Sequence, residues 1–148
     1  MLETPVSALV QRPPVRVPRS TPLREGAALL RQEKTRCLAV MDGDTLVGIF
    51  TDRDMVEKCF SSAVTGETEL GSVMTAPVLS VLPNATIREA LQLLDRERVR
   101  HLPLVEADGT LRAIIRSRDI LGFIAEALPE AILNQPPAPS SPWSREGA

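Results

Sequence analysis

The sequence predicts an α/β (α+β) protein: two pseudo-symmetric β-α-β-β-α repeats packed sheet to sheet, followed by a disordered C-terminal tail. Three observations carry this expectation. The chain is internally duplicated. Sliding it by 64 residues, and by 65 after Asp44, aligns 38 pairs from residue 17 to 54, of which 14 are identical; about two or three would match by chance at average composition. The apolar spacing in each copy runs extended, helical, extended, extended, helical. Finally, 148 residues at 43% apolar and 24% charged match a soluble globular chain, and 3% aromatic content leaves Leu, Ile, Val and Ala to build the core.

The elements follow in order. Short leading segments, 6–10 and 70–74, run into extended stretches, Pro14-Val15-Arg16-Val17 and Val78-Leu79-Ser80-Val81. The first helix has Leu23, Ala27 and Leu30 on its stripe, with Thr21-Pro22 expected as cap and first helical residue. Its counterpart carries Ile87, Ala90, Leu91 and Leu94 on one face, with Thr86 and Glu89 spaced as a capping box. Leu38–Met41 and Leu46–Phe50 flank a turn at Asp42-Gly43-Asp44. Leu102–Val105 and Leu111–Ile115 flank one at Ala107-Asp108-Gly109; glycine between apolar β-runs signals a hairpin. Closing helices are expected over 53–60 and 118–127. The boundaries predicted are 1–60 for the first repeat, 61–69 for a polar linker containing Gly66, 70–129 for the second repeat, and 130–148 for a Pro-rich flexible tail. A single unit of this size buries too little surface to stand alone easily, whereas two packed together can.

Composition narrows the function. Seventeen basic against nineteen acidic residues give a net charge of −2, and few rings are present for stacking bases, so a nucleic-acid partner is not expected. Cys37, Cys59 and the single His101 have no metal-ligand spacing. No apolar run spans a membrane and no signal peptide is expected, so the predicted location is cytoplasmic. There is no nucleophile–base pair and no P-loop, so an enzyme is not expected.

The repeat order, the run Gly48-Ile49-Phe50-Thr51-Asp52-Arg53-Asp54 and the run Arg100-His101-Leu102-Pro103-Leu104-Val105 resemble the CBS domain, a family named after cystathionine β-synthase. It occurs as tandem pairs called Bateman modules. The resemblance covers about residues 4–128, and both motifs recur in register in the two copies. It implies a cleft between two sheets that binds an adenosine-containing ligand: AMP, ADP, ATP or S-adenosylmethionine. No cofactor is required. The family's ligand motif is glycine, two mostly apolar residues, Thr or Ser, two residues, then Asp. Gly48, Thr51 and Asp54 match it fully. In the second copy Ala113 and Arg116 depart from it and only Asp119 remains, which puts that second site in doubt.

Elementary chemistry agrees with those roles. A carboxylate at a strand-to-helix turn, Asp54 or Asp119, can accept both ribose hydroxyls. Thr51 can offer a hydroxyl, and Gly48 would let a ligand approach the backbone. Thr51 and Asp54 serve equally well as simple helix caps. Phosphates call for cations. Arg36 and Arg100 occupy equivalent places, His101 follows Arg100, and Arg53 and Arg118 precede the two aspartates. Arg116 either reaches a phosphate or fills the site. The alternative for each arginine is a solvated ion pair, and for His101 a packed structural role. Through the resemblance, Val15, Ala39 and Ile49, and Val78, Pro103 and Ile114, are candidates for an adenine slot; all are equally good core residues.

The function expected is a stand-alone regulatory or sensor module that signals by a change of repeat orientation and acts in trans on an unknown protein. The alternative is a ligand-free structural or protein-interaction module. A homodimer is expected through Ile120, Leu121, Ile124 and Leu128. Trp143 in the tail is either incidental or a docking anchor.

Overall fold

A computed structural model describes residues 1–9 and 12–127. The expected tail with Trp143, together with Val10, Leu128 and Pro129, lies outside the described residues. After a 3-10 turn at Val6–Ala8, the first half contains β1 (Arg16–Pro18), α1 (Leu23–Gln32), β2 (Cys37–Asp42), β3 (Thr45–Thr51) and α2 (Asp52–Lys58). The second half contains α3 (Leu70–Val73), α4 (Ile87–Glu97), β4 (His101–Val105), β5 (Leu111–Arg116) and α5 (Ser117–Ala127). β1 pairs parallel with β2, and β2 antiparallel with β3; β4 pairs antiparallel with β5. Both hairpins carry a register shift at equivalent places, between Val40 and Met41 and between Leu104 and Val105. Their turns hold glycines at positive φ, +59° at Gly43 and +90° at Gly109, a conformation that costs other residues.

Alternation along the strands explains why they read as nearly continuous apolar runs: both faces are buried. Leu38, Val40 and Phe50 face the first repeat's helices in a core with Val17 and Leu23. Leu102, Leu104, Ala113 and Ile115 do the same in the second with Ile87, Ala90, Leu94 and Ile120. The opposite faces meet each other. Ala39 and Met41 pack with Leu111, joined by Leu46, Val105 and Ile114, so the two sheets are sandwiched with helices outside. Arg16 also donates to the Leu111 carbonyl across this interface at 2.6 Å.

The leading segments cross over. Val6 and Leu9 are buried in the second repeat's core, and Leu70 and Val73 in the first's. The backbone bonds are equivalent: Val6 N–H donates to Ala85 O and Ile87 N–H to Thr4 O, just as Leu70 N–H donates to Thr21 O and Leu23 N–H to Thr68 O. Each sequence copy therefore completes the other copy's core, which ties the halves together.

Four local expectations are corrected. The stretch 78–81 forms no strand; only Val81 bridges to Leu104. In the first repeat Ala39 N–H donates to Val15 O at 2.8 Å, but its equivalent is Pro103, which has no N–H to give. Thr21 does not cap α1: Pro22 is the N-cap and no side chain bonds there, whereas Thr86 and Glu89 form the expected capping box on α4. The helix expected over 53–60 is Asp52–Lys58, with Phe60 beyond its end and 82% exposed. In the expected dimer face, Ile120 is fully buried and Ile124 packs on the same core, leaving Leu121 exposed.

Candidate functional site

The strand-to-helix turns of both repeats converge at one end of the sandwich. Arg36 and Arg100, equivalent residues, each stand just before a strand. The Arg36 carbonyl accepts from Asp52 N–H at 3.1 Å, and the Arg100 carbonyl from Ser117 N–H at 2.9 Å. These paired bonds fix the start of β2 against the β3–α2 turn and the start of β4 against the β5–α5 turn. The preceding residues, Lys34 and Arg98, both adopt left-handed backbone, φ 51° and 53°.

Between the repeats lies a cleft of about 590 Å³, within the range of small-molecule sites. Pro13, Pro14, Val15, Thr35 and Ile114 line it with six cations, Arg12, Lys34, Arg36, Arg100, Arg116 and Arg118, against two carboxylates, Glu33 and Asp52; Cys37, His101 and Ser117 complete it. Among the described residues, Arg12, Lys34, Arg36, Arg100 and Arg118 have no carboxylate within 4.0 Å. Such a wall is poised for an anion. His101 faces Arg116 across the hairpin. Its burial pushes the imidazole below its usual pKa; Asp52 opposes, and Arg116, Arg118 and Arg36 push the same way as burial. The cleft therefore favours a neutral His101.

Arg116 and Asp119 form a bidentate pair, Nε to Oδ2 at 3.0 Å and Nη2 to Oδ1 at 2.6 Å, and Arg116 N–H donates to Oδ2 at 3.0 Å. Burial raises the Asp119 carboxyl, but Arg116's hydrogen bonds and charge, aided by Arg12, outweigh it and hold the carboxyl below its usual range.

The first copy's motif is engaged elsewhere. Asp54 is 3% exposed. Its Oδ2 accepts from Thr51 N–H at 3.0 Å and Thr51 Oγ1 at 3.3 Å, and its Oδ1 from Thr75 Oγ1 at 2.8 Å, with Lys58 Nζ 2.9 Å away. Thr51 and Asp54 complete a capping box on α2. An added Cβ at Gly48 would meet Met74 and the Thr75 carbonyl. Arg53 pairs with Glu57 at 2.8 Å, Val78 stands half-buried outside the cleft, and Ala39, Ile49 and Pro103 are buried. Of the candidates, the cleft collects Val15, Arg36, Arg100, His101, Ile114, Arg116 and Arg118, with Asp119 behind Arg116. Arg12, Lys34 and Asp52 were not anticipated; the signal for Lys34 is only its place two residues before Arg36.

Residues 6–61 and 70–126 each match the family model of the CBS domain. The CBS domain-containing protein YhcV of Bacillus subtilis is 30% identical over 87 residues, 59% of this chain and 62% of that protein. The inosine-5'-monophosphate dehydrogenase of Thermoplasma acidophilum is 32% identical over 101 residues, 68% of this chain but 20% of that enzyme. The chain thus spans less than two thirds of each of these relatives. Among solved structures, CBSX2 in complex with AMP shares 25% identity at a TM-score of 0.74, covering 85% of this chain and 99% of that one.

Proposed function

The chain belongs to the CBS-domain family as a tandem pair of repeats, and we propose that it is a regulatory sensor module that binds an adenosine-containing ligand in the cleft between the repeats. The observation that carries the reading is the cation-lined hollow shared by the two repeats, with guanidinium groups from both halves at its wall that have no carboxylate partner among the described residues. Guanidinium forks suit phosphate oxygens, Val15 and Ile114 offer apolar surface to a base, and a structural relative is described with AMP bound. Arg36 on one repeat and Arg100 and Arg118 on the other would be bridged by one ligand. Bridging favours one inter-repeat angle over another, and only that difference in affinity shifts the equilibrium. The role proposed for the pair of repeats is regulatory rather than catalytic. A homodimer is part of the reading: Val56 and Leu121, at equivalent positions, are 70% and 60% exposed.

A thermal-shift panel of AMP, ADP, ATP and S-adenosylmethionine tests this. At a ligand concentration 100 times Kd, stabilisation is about 2.7 kcal/mol, a rise in Tm of about 5–10 °C. No shift with any of the four would leave a ligand-free scaffold as the function.

A further inference from the structure

We propose that Arg116 sets the specificity of the cleft: by occupying Asp119 it removes the ribose-gripping carboxylate, so the ligand is read through its phosphates and not through its sugar. This rests on the nucleotide reading above. The observation is the geometry of the Arg116–Asp119 pair beside the unpaired cations. Both carboxylate oxygens of Asp119 are engaged, by two guanidinium nitrogens and the Arg116 N–H, and the two side chains are only 18% and 15% exposed. A bidentate, charge-assisted pair of this kind is stronger than the neutral hydroxyl bonds that would replace it. Asp54, the equivalent carboxylate, is likewise saturated.

Glu33 and Asp52 also line the cleft, but both are exposed. A sugar hydroxyl that trades water for a solvated carboxylate gains little. The arginines at the phosphate end are exposed too, but there both partners carry charge and the guanidinium fork is bidentate. Arg36, Arg100 and Arg118 stand without carboxylate partners among the described residues, so every added phosphate charge finds an unneutralised cation. The first copy carries Thr51 where the second carries Arg116, so only the second copy sets a guanidinium on its aspartate at the cleft.

Calorimetric titration of the full chain with ATP, 2',3'-dideoxy-ATP, AMP and inorganic tripolyphosphate tests the inference. ATP and dideoxy-ATP are expected to agree within about twofold, and AMP to bind about tenfold or more weakly than ATP. Tripolyphosphate is expected to compete with ATP. Arg116→Ala releases both Asp119 oxygens from the guanidinium, and the variant should prefer ATP over dideoxy-ATP by about tenfold. Should that variant fail to fold, Asp119→Asn serves: its ATP to dideoxy-ATP ratio stays near one. A tenfold loss for dideoxy-ATP with the natural chain, or equal affinity for AMP and ATP, overturns the inference and leaves the nucleotide reading standing. Tripolyphosphate binding with no nucleotide bound overturns the nucleotide reading while supporting phosphate recognition.

Discussion

Replacing Gly48 by alanine separates a packing glycine from a ligand-facing one. An added Cβ would stand 2.5 Å from Met74 Sδ, 2.9 Å from Met74 Cγ and 2.9 Å from the Thr75 carbonyl oxygen. The Met74 side chain can swing aside. The Thr75 carbonyl is held: it accepts from Ile49 N–H at 3.1 Å, and Thr75 N–H donates back to Ile49 O at 2.8 Å. Overpacking of this kind costs about 1–3 kcal/mol, and loss of a glycine from the unfolded chain offsets about 0.4–1 kcal/mol. The net expectation is a loss of about 1–2 kcal/mol, or a Tm lower by about 2–8 °C. Urea and thermal melts of Gly48→Ala measure it. Nucleotide affinity, taken well below the transition, should stay within about twofold, because Gly48 does not line the cleft. A variant that melts with the natural chain but loses nucleotide binding would refute the reasoning and place the ligand against β3.

Asp54→Ala should cost about 2–3 kcal/mol, since it removes the α2 capping box and leaves the Thr75 hydroxyl without its acceptor; nucleotide affinity lost without a fall in melting temperature would put the carboxylate in the ligand site instead. His101 makes stability pH-dependent. Its folded pKa lies below the usual 6.5, so below that pH the unfolded chain binds more protons and stability falls as the solution is acidified. His101→Gln should flatten that limb in melts between pH 5 and 7, and an unchanged slope would exclude the imidazole as its source. Burial, with the charges of Asp54 and Asp52, pushes the Cys37 thiol up to about 12, so a thiol reagent should label only Cys59 in the native chain; rapid double labelling without denaturant would contradict its burial.

The duplication made the topology legible, because an offset near 64 assigns every element twice. The Thr86–Glu89 box was readable for a similar reason: its donor and acceptor are three residues apart and nothing distant competes. In the first copy the residue equivalent to Thr86 is Pro22, which has no side-chain oxygen to cap α1, although in both copies the crossing segment accepts the next N–H, Thr68 O from Leu23 and Thr4 O from Ile87. That crossover leaves no trace in the pattern, since 2–9 and 66–73 keep the same offset whichever core they complete. Gly48 and Asp54 matched a ligand motif fully, but their neighbours Met74 and Thr75 lie more than twenty residues on, beyond the reach of a local pattern. The second copy, discounted for Arg116, borders the cleft. The missing strand at 78–81 was visible in principle: Pro103 stands where Ala39 donates.

Titration of ATP into Arg36→Ala and Arg100→Ala, with the exposed Arg31→Ala on α1 as control, asks whether one ligand joins the two repeats. Each cleft variant should bind about tenfold or more weakly, because each loses a charge-assisted fork from a different repeat, while the control matches the natural chain. Unchanged affinity in both cleft variants would mean that nucleotide, if bound, sits somewhere else.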